Sequence, residues 1–352
     1  MPTPIRSFDG HNDTLQRLLR STSDDPIGEF LAGGPKGHID LPKAESGHFV
    51  GGFFALYSPS TTAPTNFSNM TGDGYALEMP PRLTLGEAQP PIFAMIATLR
   101  RLIRRSNGRV SICTSSAEIE AAIDRHSLAV VLHLEGADAI DEDLHLLEVL
   151  YAVGLRSLGP VWSRNNIFGS GVPFHFPAGP DLGDGLTAAG RRLVEACNDL
   201  KIMIDLSHIT EKGFFDVAEL SKAPLVATHS NAHALCPSPR NLTDRQLDAI
   251  RETGGMVGLN FATCFLRSDG HMRPDTPIDL MVRQLDYLLE KLGENHVGLG
   301  SDFDGAVVPK EIGSAAGLGT LYAALERHGY SRELLTKIGS TNWIAVIKRT
   351  IG

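Results

Sequence analysis

The chain has 352 residues, of which 42% are hydrophobic and 21% are charged, and its formal net charge is −9. This length and composition are typical of a globular protein with a large hydrophobic core. The acidic balance argues against nucleic acid as a partner, and the absence of an apolar run of about 18 residues argues against a membrane span.

Short apolar runs that end in polar residues or glycine predict β-strands at regular intervals along the chain. The predicted strands are Arg6 to Phe8, Phe49 to Leu56, Ala129 to Leu134, Ser157 to Trp162, Ile202 to Leu206, Leu225 to Thr228, Met256 to Asn260 and Val297 to Gly300. The predicted helices are Ile92 to Arg105, Leu144 to Val153, Ala188 to Leu200, Lys212 to Leu220, Asp244 to Glu252, Asp279 to Leu292, Ala315 to His328 and Ser331 to Lys348.

This alternation of strands and helices predicts an α/β fold, a (β/α)8 TIM-type barrel that residues 1–352 form as a single domain. A doubly wound open sheet is the alternative. We favour the barrel because polar strand ends from the whole chain converge at its carboxyl face. An open sheet would leave the first and last strand ends far apart.

Two long segments interrupt the alternation of strands and helices. Pro59 to Pro91 is rich in Ser, Thr, Pro and Gly, and Asn165 to Gly185 is rich in Gly, Pro and Phe. Loops of this length in a compact domain usually have a function, and both follow strands. We therefore expect them on the active-site face of the barrel, as lids or pocket walls.

The first strand leads into His11-Asn12-Asp13. Residues two apart in a strand face the same side, so this spacing aims an imidazole and a carboxylate at one point. Later strand ends add Glu135, His208 and His229. These residue types together predict a site for a divalent metal, and neutral imidazole suits zinc.

Glu135 follows a wholly apolar strand, so its carboxylate needs a cationic partner there. Its two oxygens could bridge two metal ions. His133 lies two residues earlier and would face the same interior. We interpret it as a neighbour of the ligands, with a ligand role as the alternative.

Asp302 ends the last predicted strand, where a carboxylate beside a metal can carry a proton from water to a leaving amine. Asp304 could take the same role, although we favour Asp302. Arg240 follows the strand that ends at His229. A guanidinium at this position suits the capture of a carboxylate, with a surface salt bridge as the alternative.

The combination of motifs resembles the membrane (renal-type) dipeptidase family, zinc metallopeptidases of the amidohydrolase-like barrel superfamily. The matching segments are in family order and span almost the whole chain. They are Asp9 to Asp13, Gly51 to Tyr57, Glu135-Gly136, Gly185 to Gly190, Ile204 to His208, His229 to Ala232, Arg240 to Leu242 and Gly300 to Gly305.

The resemblance implies a zinc-dependent dipeptidase with two zinc ions per chain. His11 and Asp13 would bind one ion, His208 and His229 would bind the other, and Glu135 would bridge both. A water shared by the two ions would attack the peptide bond of a dipeptide, L-D dipeptides included.

The same resemblance assigns Asp302 and Glu135 as catalytic residues and Arg240 as the group that holds the substrate carboxylate. One position departs from the family: alignment places Trp162 where members often carry a histidine. Indole donates a hydrogen bond but does not titrate, so we expect a shift in substrate preference. Trp162 and Tyr57 are predicted to line the substrate pocket, with buried aromatic packing as the alternative for Tyr57.

Alternatives to a dipeptidase stay open at this point. A hydrolase on the same scaffold could act on N-acyl amino acids or lactones. A barrel that binds without catalysis would require a missing ligand, and none is missing. Four cysteines without a C-x-x-C pattern are interpreted as buried free thiols, and with no signal-peptide pattern they indicate a cytoplasmic protein. A homodimer is an expectation from the family alone.

Overall fold

The computed structural model describes residues 4–60 and 65–352, so a part of the predicted loop from Pro59 to Pro91 lies outside the described residues, as do residues 1–3. In the described ranges a ring of eight parallel strands surrounds a central axis, with helices outside it. The barrel strands are β1 (Ser7–Asn12), β2 (Phe49–Tyr57), β3 (Leu128–Glu135), β4 (Leu155–Gly159), β5 (Met203–Ile204), β6 (Val226–Ala227), β7 (Met256–Asn260) and β8 (Val297–Gly300).

Each barrel strand pairs in parallel with the next strand along the chain. β5 and β6 meet through a single bridge between Asp205 and Val226, and β8 pairs with β1 through Leu299 and Asp9, which closes the ring. A short strand, Val110–Ile112, pairs with the first half of β3 below its contact with β4. The predicted (β/α)8 barrel is therefore confirmed.

The helices are α1 (Thr14–Leu19), α2 (Pro26–Ala32), α3 (Leu41–Ser46), α4 (Leu85–Arg105), α5 (Ser116–Asp124), α6 (His145–Ala152), α7 (Ala188–Leu200), α8 (Glu211–Leu220), α9 (Asp244–Glu252), α10 (Thr263–Leu266), α11 (Asp279–Leu292), α12 (Leu318–His328), α13 (Arg332–Thr336) and α14 (Asn342–Thr350). Within the described residues, none of them is long and apolar enough to cross a membrane. The four cysteines are buried free thiols, as predicted.

Three predicted helices differ clearly from the observed ones, and the helix predicted from Ala315 begins at Leu318 after a 3-10 turn. The helix predicted from Ile92 begins instead at Leu85, where the Glu87 carboxylate accepts hydrogen bonds from the Thr84 N–H at 2.8 Å and hydroxyl at 2.7 Å. This cap pairs the Thr84 N–H, which would otherwise lack a partner at the start of the helix. Pro90 and Pro91 lie inside the helix and obscure its start in the sequence. The helix predicted from Ser331 to Lys348 is divided by a π-helical segment, Lys337–Thr341.

The amino-terminal half of the barrel interior is filled with apolar side chains around Trp343 of α14. Phe8, Phe53, Val131 and Met256 come from strands around the ring and belong to the same cluster as this indole. They must therefore meet inside the barrel. Outward residues of the same strands, such as Leu132 and Leu134 of β3, pack in the larger core under the helices.

Glycines make room for the Trp343 ring. A Cβ placed on Gly10 would lie 2.5 Å from this ring, and a Cβ on Gly298 would lie 2.6 Å from it. Both distances are shorter than a van der Waals contact. The indole Nε1–H donates a hydrogen bond to the Leu299 carbonyl at 2.8 Å. The amino end of the barrel interior is thus filled, so a site inside the barrel lies at its carboxyl end.

Candidate active site

The polar strand ends predicted from the sequence meet in one cluster at the carboxyl end of the barrel. Five of its side chains are buried, and Asp302 is partly exposed to a cavity above them. The cluster consists of His11, Asp13, Glu135, His208, His229 and Asp302.

The Glu135 carboxylate lies at the centre of this cluster. Its Oε1 is 3.0 Å from His208 Nε2, 3.6 Å from His11 Nε2 and 3.6 Å from His229 Nε2. Ligand atoms on one tetrahedral zinc ion lie about 3.3 Å apart, because each is about 2.0–2.1 Å from the metal. These separations therefore fit a set of ligands around a shared metal ion.

His11 reaches the cluster through an irregularity in β1. Asp9 pairs with Gly52 and Asn12 pairs with Phe54, so β1 has one more residue than β2 over this stretch. Such a β-bulge re-aims the side chains that follow it. Gly10 then lies against Trp343, whereas His11 turns towards Glu135 and lies 3.4 Å from Asp13 Oδ2.

The ring nitrogens of His11 indicate its role in the cluster. Among the described residues, neither ring nitrogen of His11 has a hydrogen-bond partner, although the side chain is fully buried. A buried polar atom without a partner is costly in a folded protein. A metal ion bound at Nε2, the nitrogen that faces Asp13 and Glu135, would remove part of that cost, so the residue fits a cation site.

A chain of hydrogen bonds fixes the tautomer of His229. The Thr228 hydroxyl donates a hydrogen bond to the Asp205 carboxylate at 2.7 Å. Because its proton is used in this bond, Thr228 Oγ1 has to accept a hydrogen bond from His229 Nδ1–H, which is 2.8 Å away. The lone pair of His229 Nε2 then points into the cluster, as a metal ligand requires. Ser163 Oγ lies 2.9 Å from Nδ1 of His208 in the same way.

Burial shifts the pKa values in this cluster. Desolvation raises the pKa of Glu135 to about 8, and it lowers the pKa values of His208 and His229. Desolvation also lowers the pKa of His11, but the carboxylates of Glu135, Asp13 and Asp302 outweigh it and raise that pKa to about 10. An ionised Glu135 therefore needs a cation beside it, and the neutral imidazoles of His208 and His229 face it.

His133 lies behind the cluster, as its interpretation as a neighbour requires. Its Nδ1 is 2.9 Å from Ser157 Oγ, and its ring meets the His11 ring edge-on at 5.5 Å between centroids. Burial lowers its pKa to about 4, so it is neutral. It packs against a candidate ligand and supports its orientation.

The two aspartates after β8 have different surroundings. Asp302 Oδ2 accepts a hydrogen bond from Asn260 Nδ2 at 3.0 Å, and its carboxylate lies beside His11 and Asp13. Asp304 is bound instead by Arg17 Nε at 2.9 Å, by Thr14 and by the His38 N–H. Because both Asp304 oxygens already accept these hydrogen bonds, Asp302 is the better candidate for proton transfer.

Arg240 is buried beside the cluster, and it is not the surface salt bridge of the alternative interpretation. Its guanidinium donates hydrogen bonds to the carbonyls of Ser207 and His229 and lies 5.3 Å from the centroid of the Phe265 ring. Desolvation lowers its pKa. The guanidinium also lines a cavity, where its charge could attract an anion.

A cavity of about 410 Å³ opens above these groups. Tyr57 and Trp162 both line it, with ring centroids 5.1 Å apart, and the Trp162 ring also lies 5.8 Å from that of His208. Sequence reasoning missed Arg164, whose guanidinium lies beside both aromatic rings and whose Nε donates to Asp138 Oδ1 at 3.0 Å. The only signal for it in the sequence is a charged residue shortly after a strand.

The two long segments predicted as lids or walls are joined to each other over the cavity. Tyr75–Ala76 pairs antiparallel with His175–Phe176, and the Leu77 N–H donates to the Phe174 carbonyl at 2.9 Å. We call this two-stranded sheet the loop ribbon. In the described residues the segments therefore form a wall of the cavity.

A parallel barrel with buried histidines and carboxylates at its carboxyl end is typical of metal-dependent hydrolases. A family model described as Membrane dipeptidase (Peptidase family M19) matches residues 2–351. The chain belongs to this family of metal-dependent dipeptidases. The predicted family and enzyme class are thereby confirmed, and the alternative of an N-acyl-amino-acid or lactone hydrolase is not favoured.

Comparison with individual proteins agrees with this. A crystal structure of a metallo peptidase from Rhodobacter sphaeroides, liganded with a phosphinate mimic of the dipeptide L-Ala-D-Ala, matches with a TM-score of 0.96 at 50% identity, over 99% of this chain and 100% of that chain. An uncharacterized protein of the pqqA 5′ region of Klebsiella pneumoniae is 51% identical over 257 residues, 73% of this chain and 95% of the relative. Dipeptidase tcpJ of Claviceps purpurea is 24% identical over 348 residues, 97% of this chain and 76% of the relative.

Proposed function

We propose that this chain is a dipeptidase with two zinc ions that acts on dipeptides, including those with a D-residue at the carboxyl side. His11 and Asp13 would hold one ion, His208 and His229 would hold the other, and Glu135 would be a ligand of both. The similarity to the Rhodobacter sphaeroides protein, whose ligand mimics L-Ala-D-Ala, supports the L-D substrates.

The observation that carries the metal assignment is the convergence of three imidazole Nε2 atoms on Oε1 of Glu135 at 3.0–3.6 Å. The unpartnered ring nitrogens of His11 and the fixed tautomer of His229 fit the same conclusion. Zinc at this site supplies Lewis acidity, which makes water nucleophilic near neutral pH and polarises a carbonyl group.

The remaining roles belong to side chains of the chain itself. Asp302, held by Asn260, accepts the proton that the attacking water loses and passes it to the leaving amine. Arg240 binds the free carboxylate of the substrate. Tyr57 and Trp162 form one side of the pocket and exclude water from it. Trp162 cannot titrate, so it takes no part in this proton transfer.

The experiment is a metal analysis combined with an assay of defined substrates. We expect two zinc ions per purified chain and hydrolysis of L-Ala-L-Ala and L-Ala-D-Ala. Removal of zinc with a chelator should abolish hydrolysis, and added zinc should restore it. Hydrolysis of N-acetyl amino acids or lactones while free dipeptides stay intact would contradict the proposal, as would a chain without stoichiometric zinc.

A further inference from the structure

One side of the cavity is lined by a continuous set of large apolar side chains, which we call the aromatic wall. These residues belong to a cluster of their own, separate from the two cores of the barrel. The aromatic wall consists of Phe67, Met70, Trp162, Phe174, Phe265 and Met272.

The aromatic wall starts at Arg240. The guanidinium lies 5.3 Å from the Phe265 ring centroid, and Phe265 stacks nearly parallel with Phe174, with an interplanar angle of 9° and centroids 6.4 Å apart. Phe174 in turn meets Trp162 edge-on at 5.6 Å. The aromatic wall therefore extends from Arg240 to Trp162, whose ring centroid lies 5.8 Å from that of His208 in the metal cluster.

The aromatic wall is held in place before any ligand binds. Phe174 lies next to the loop ribbon, and its carbonyl accepts the hydrogen bond from the Leu77 N–H. The ribbon is tied to the segment after α10 because the Tyr75 hydroxyl donates to the Gly270 carbonyl at 3.1 Å. A preformed apolar surface binds an apolar group with little ordering cost.

We propose that the aromatic wall is the binding site for the side chain of the carboxyl-terminal residue, and that the enzyme selects dipeptides whose second side chain is apolar. This inference rests on the proposed function, in which Arg240 binds the substrate carboxylate. In a dipeptide the carboxylate and the second side chain are bonded to the same Cα. A carboxylate at Arg240 therefore brings that Cα close to Phe265, from where the second side chain can extend along the wall to Phe174.

The chemistry of the wall sets the direction of the selectivity. Apolar surface that leaves water for the wall stabilises the complex in proportion to its area, so leucine or phenylalanine gains over glycine. An aspartate or lysine side chain in contact with these rings would lose hydration, which opposes its binding there.

The test is a pair of dipeptide series with the purified, zinc-loaded enzyme. In the series Ala-Leu, Ala-Phe, Ala-Gly, Ala-Asp and Ala-Lys, kcat/KM should be at least about tenfold higher for Leu and Phe than for Gly, and lowest for the charged residues. In the reversed series, with Ala at the carboxyl end, the spread should be much smaller. A preference that follows the amino-terminal residue, or no preference, overturns the inference.

A variant locates the selectivity in the structure. Phe174→Ala should lower the Ala-Leu to Ala-Gly ratio of kcat/KM by about fourfold or more, since it removes apolar contact worth more than one methylene. Phe215→Ala, a half-buried phenylalanine on α8 outside the cavity, should leave the ratio unchanged. Equal ratios for wild type and Phe174→Ala also overturn the inference.

The two proposals fail in different ways. If no free dipeptide is cleaved by the zinc-loaded wild type, the proposed function fails and the inference with it. If dipeptides are cleaved without regard to the second side chain, only the inference fails. The wild-type series decides the question even where Phe174→Ala does not fold.

Discussion

The two ends of the barrel are formed by the same strands and serve opposite purposes. At the amino end, Phe8, Val131 and Met256 pack around Trp343. A few residues further along, β1 carries His11, whose ring nitrogens have no hydrogen-bond partner among the described residues, and β3 carries Glu135, whose pKa burial raises to about 8. The packing around Trp343 stabilises the fold, and the fold holds His11 and Glu135 in place.

This difference shows how the fold supports a costly site. Burial of carboxylates and imidazoles is unfavourable unless a cation compensates for it. The filled amino end supplies a rigid base on which that burial is maintained, because close-packed interiors allow little relaxation. The four substitutions below test whether stability and chemistry separate in this way, from the largest expected effect to the smallest.

Glu135→Gln at the carboxyl end should lower kcat/KM for dipeptides by at least about 10³-fold, because the metal centre supplies several kcal/mol of transition-state stabilisation. Zinc content should fall with it. Steady-state kinetics and metal analysis check this, with the exposed Glu148→Gln as the matched control. Near-normal turnover would remove Glu135 from its bridging role.

Trp343→Ala at the amino end should lower the free energy of unfolding by about 3–5 kcal/mol, the range for loss of a large buried aromatic side chain. Urea denaturation measures this. The folded fraction should keep its zinc content and its KM, since Trp343 lies outside the cavity. A large change in KM at unchanged stability would show that the two ends are not separate.

Arg240→Ala should raise KM for dipeptides about 10- to 100-fold with a smaller change in kcat, because a hydrogen bond to a charged group contributes about 1.5–3 kcal/mol. A thermal melt controls for lost packing around the guanidinium. Substrate amides that lack the free carboxylate should respond much less to the substitution. An unchanged KM would exclude Arg240 from carboxylate binding.

Thr228→Val should weaken zinc binding about tenfold, the lower end of the range for residues that orient metal ligands. The substitution keeps the shape and removes the hydroxyl that fixes the His229 tautomer. Competition with a zinc chelator measures the affinity, and Thr228→Ser should restore it. Equal affinities of Thr228→Val and wild type would show that the tautomer does not depend on this hydroxyl.

The sequence predicts the barrel and the convergence of its polar strand ends because both follow from local patterns. Apolar runs mark β3 and β7, and parallel strands in a closed ring bring their carboxyl ends together whatever their separation along the chain. The meeting of His11 with Glu135 is of this kind. Its prediction needs the strand order but no detail of packing.

Features that depend on contacts between distant parts of the chain cannot be predicted from local sequence patterns. The bulge before His11 is set by the partner strand β2 and by the Trp343 ring, which lies more than 300 positions later in the chain. The first strand was therefore predicted to end at Phe8, although it continues to Asn12. The bond from Asn260 to Asp302 likewise depends on the adjacent strands β7 and β8 being in register.

The loop ribbon has a consequence for redesign of this enzyme. Because its two strands come from segments after β2 and after β4, each segment supplies hydrogen-bonding groups that the other uses. A graft of one segment from a relative would leave mismatched backbone edges and displace Phe174. Exchange of both segments as one cassette would transfer a new pocket shape while the histidines beneath it stay as they are.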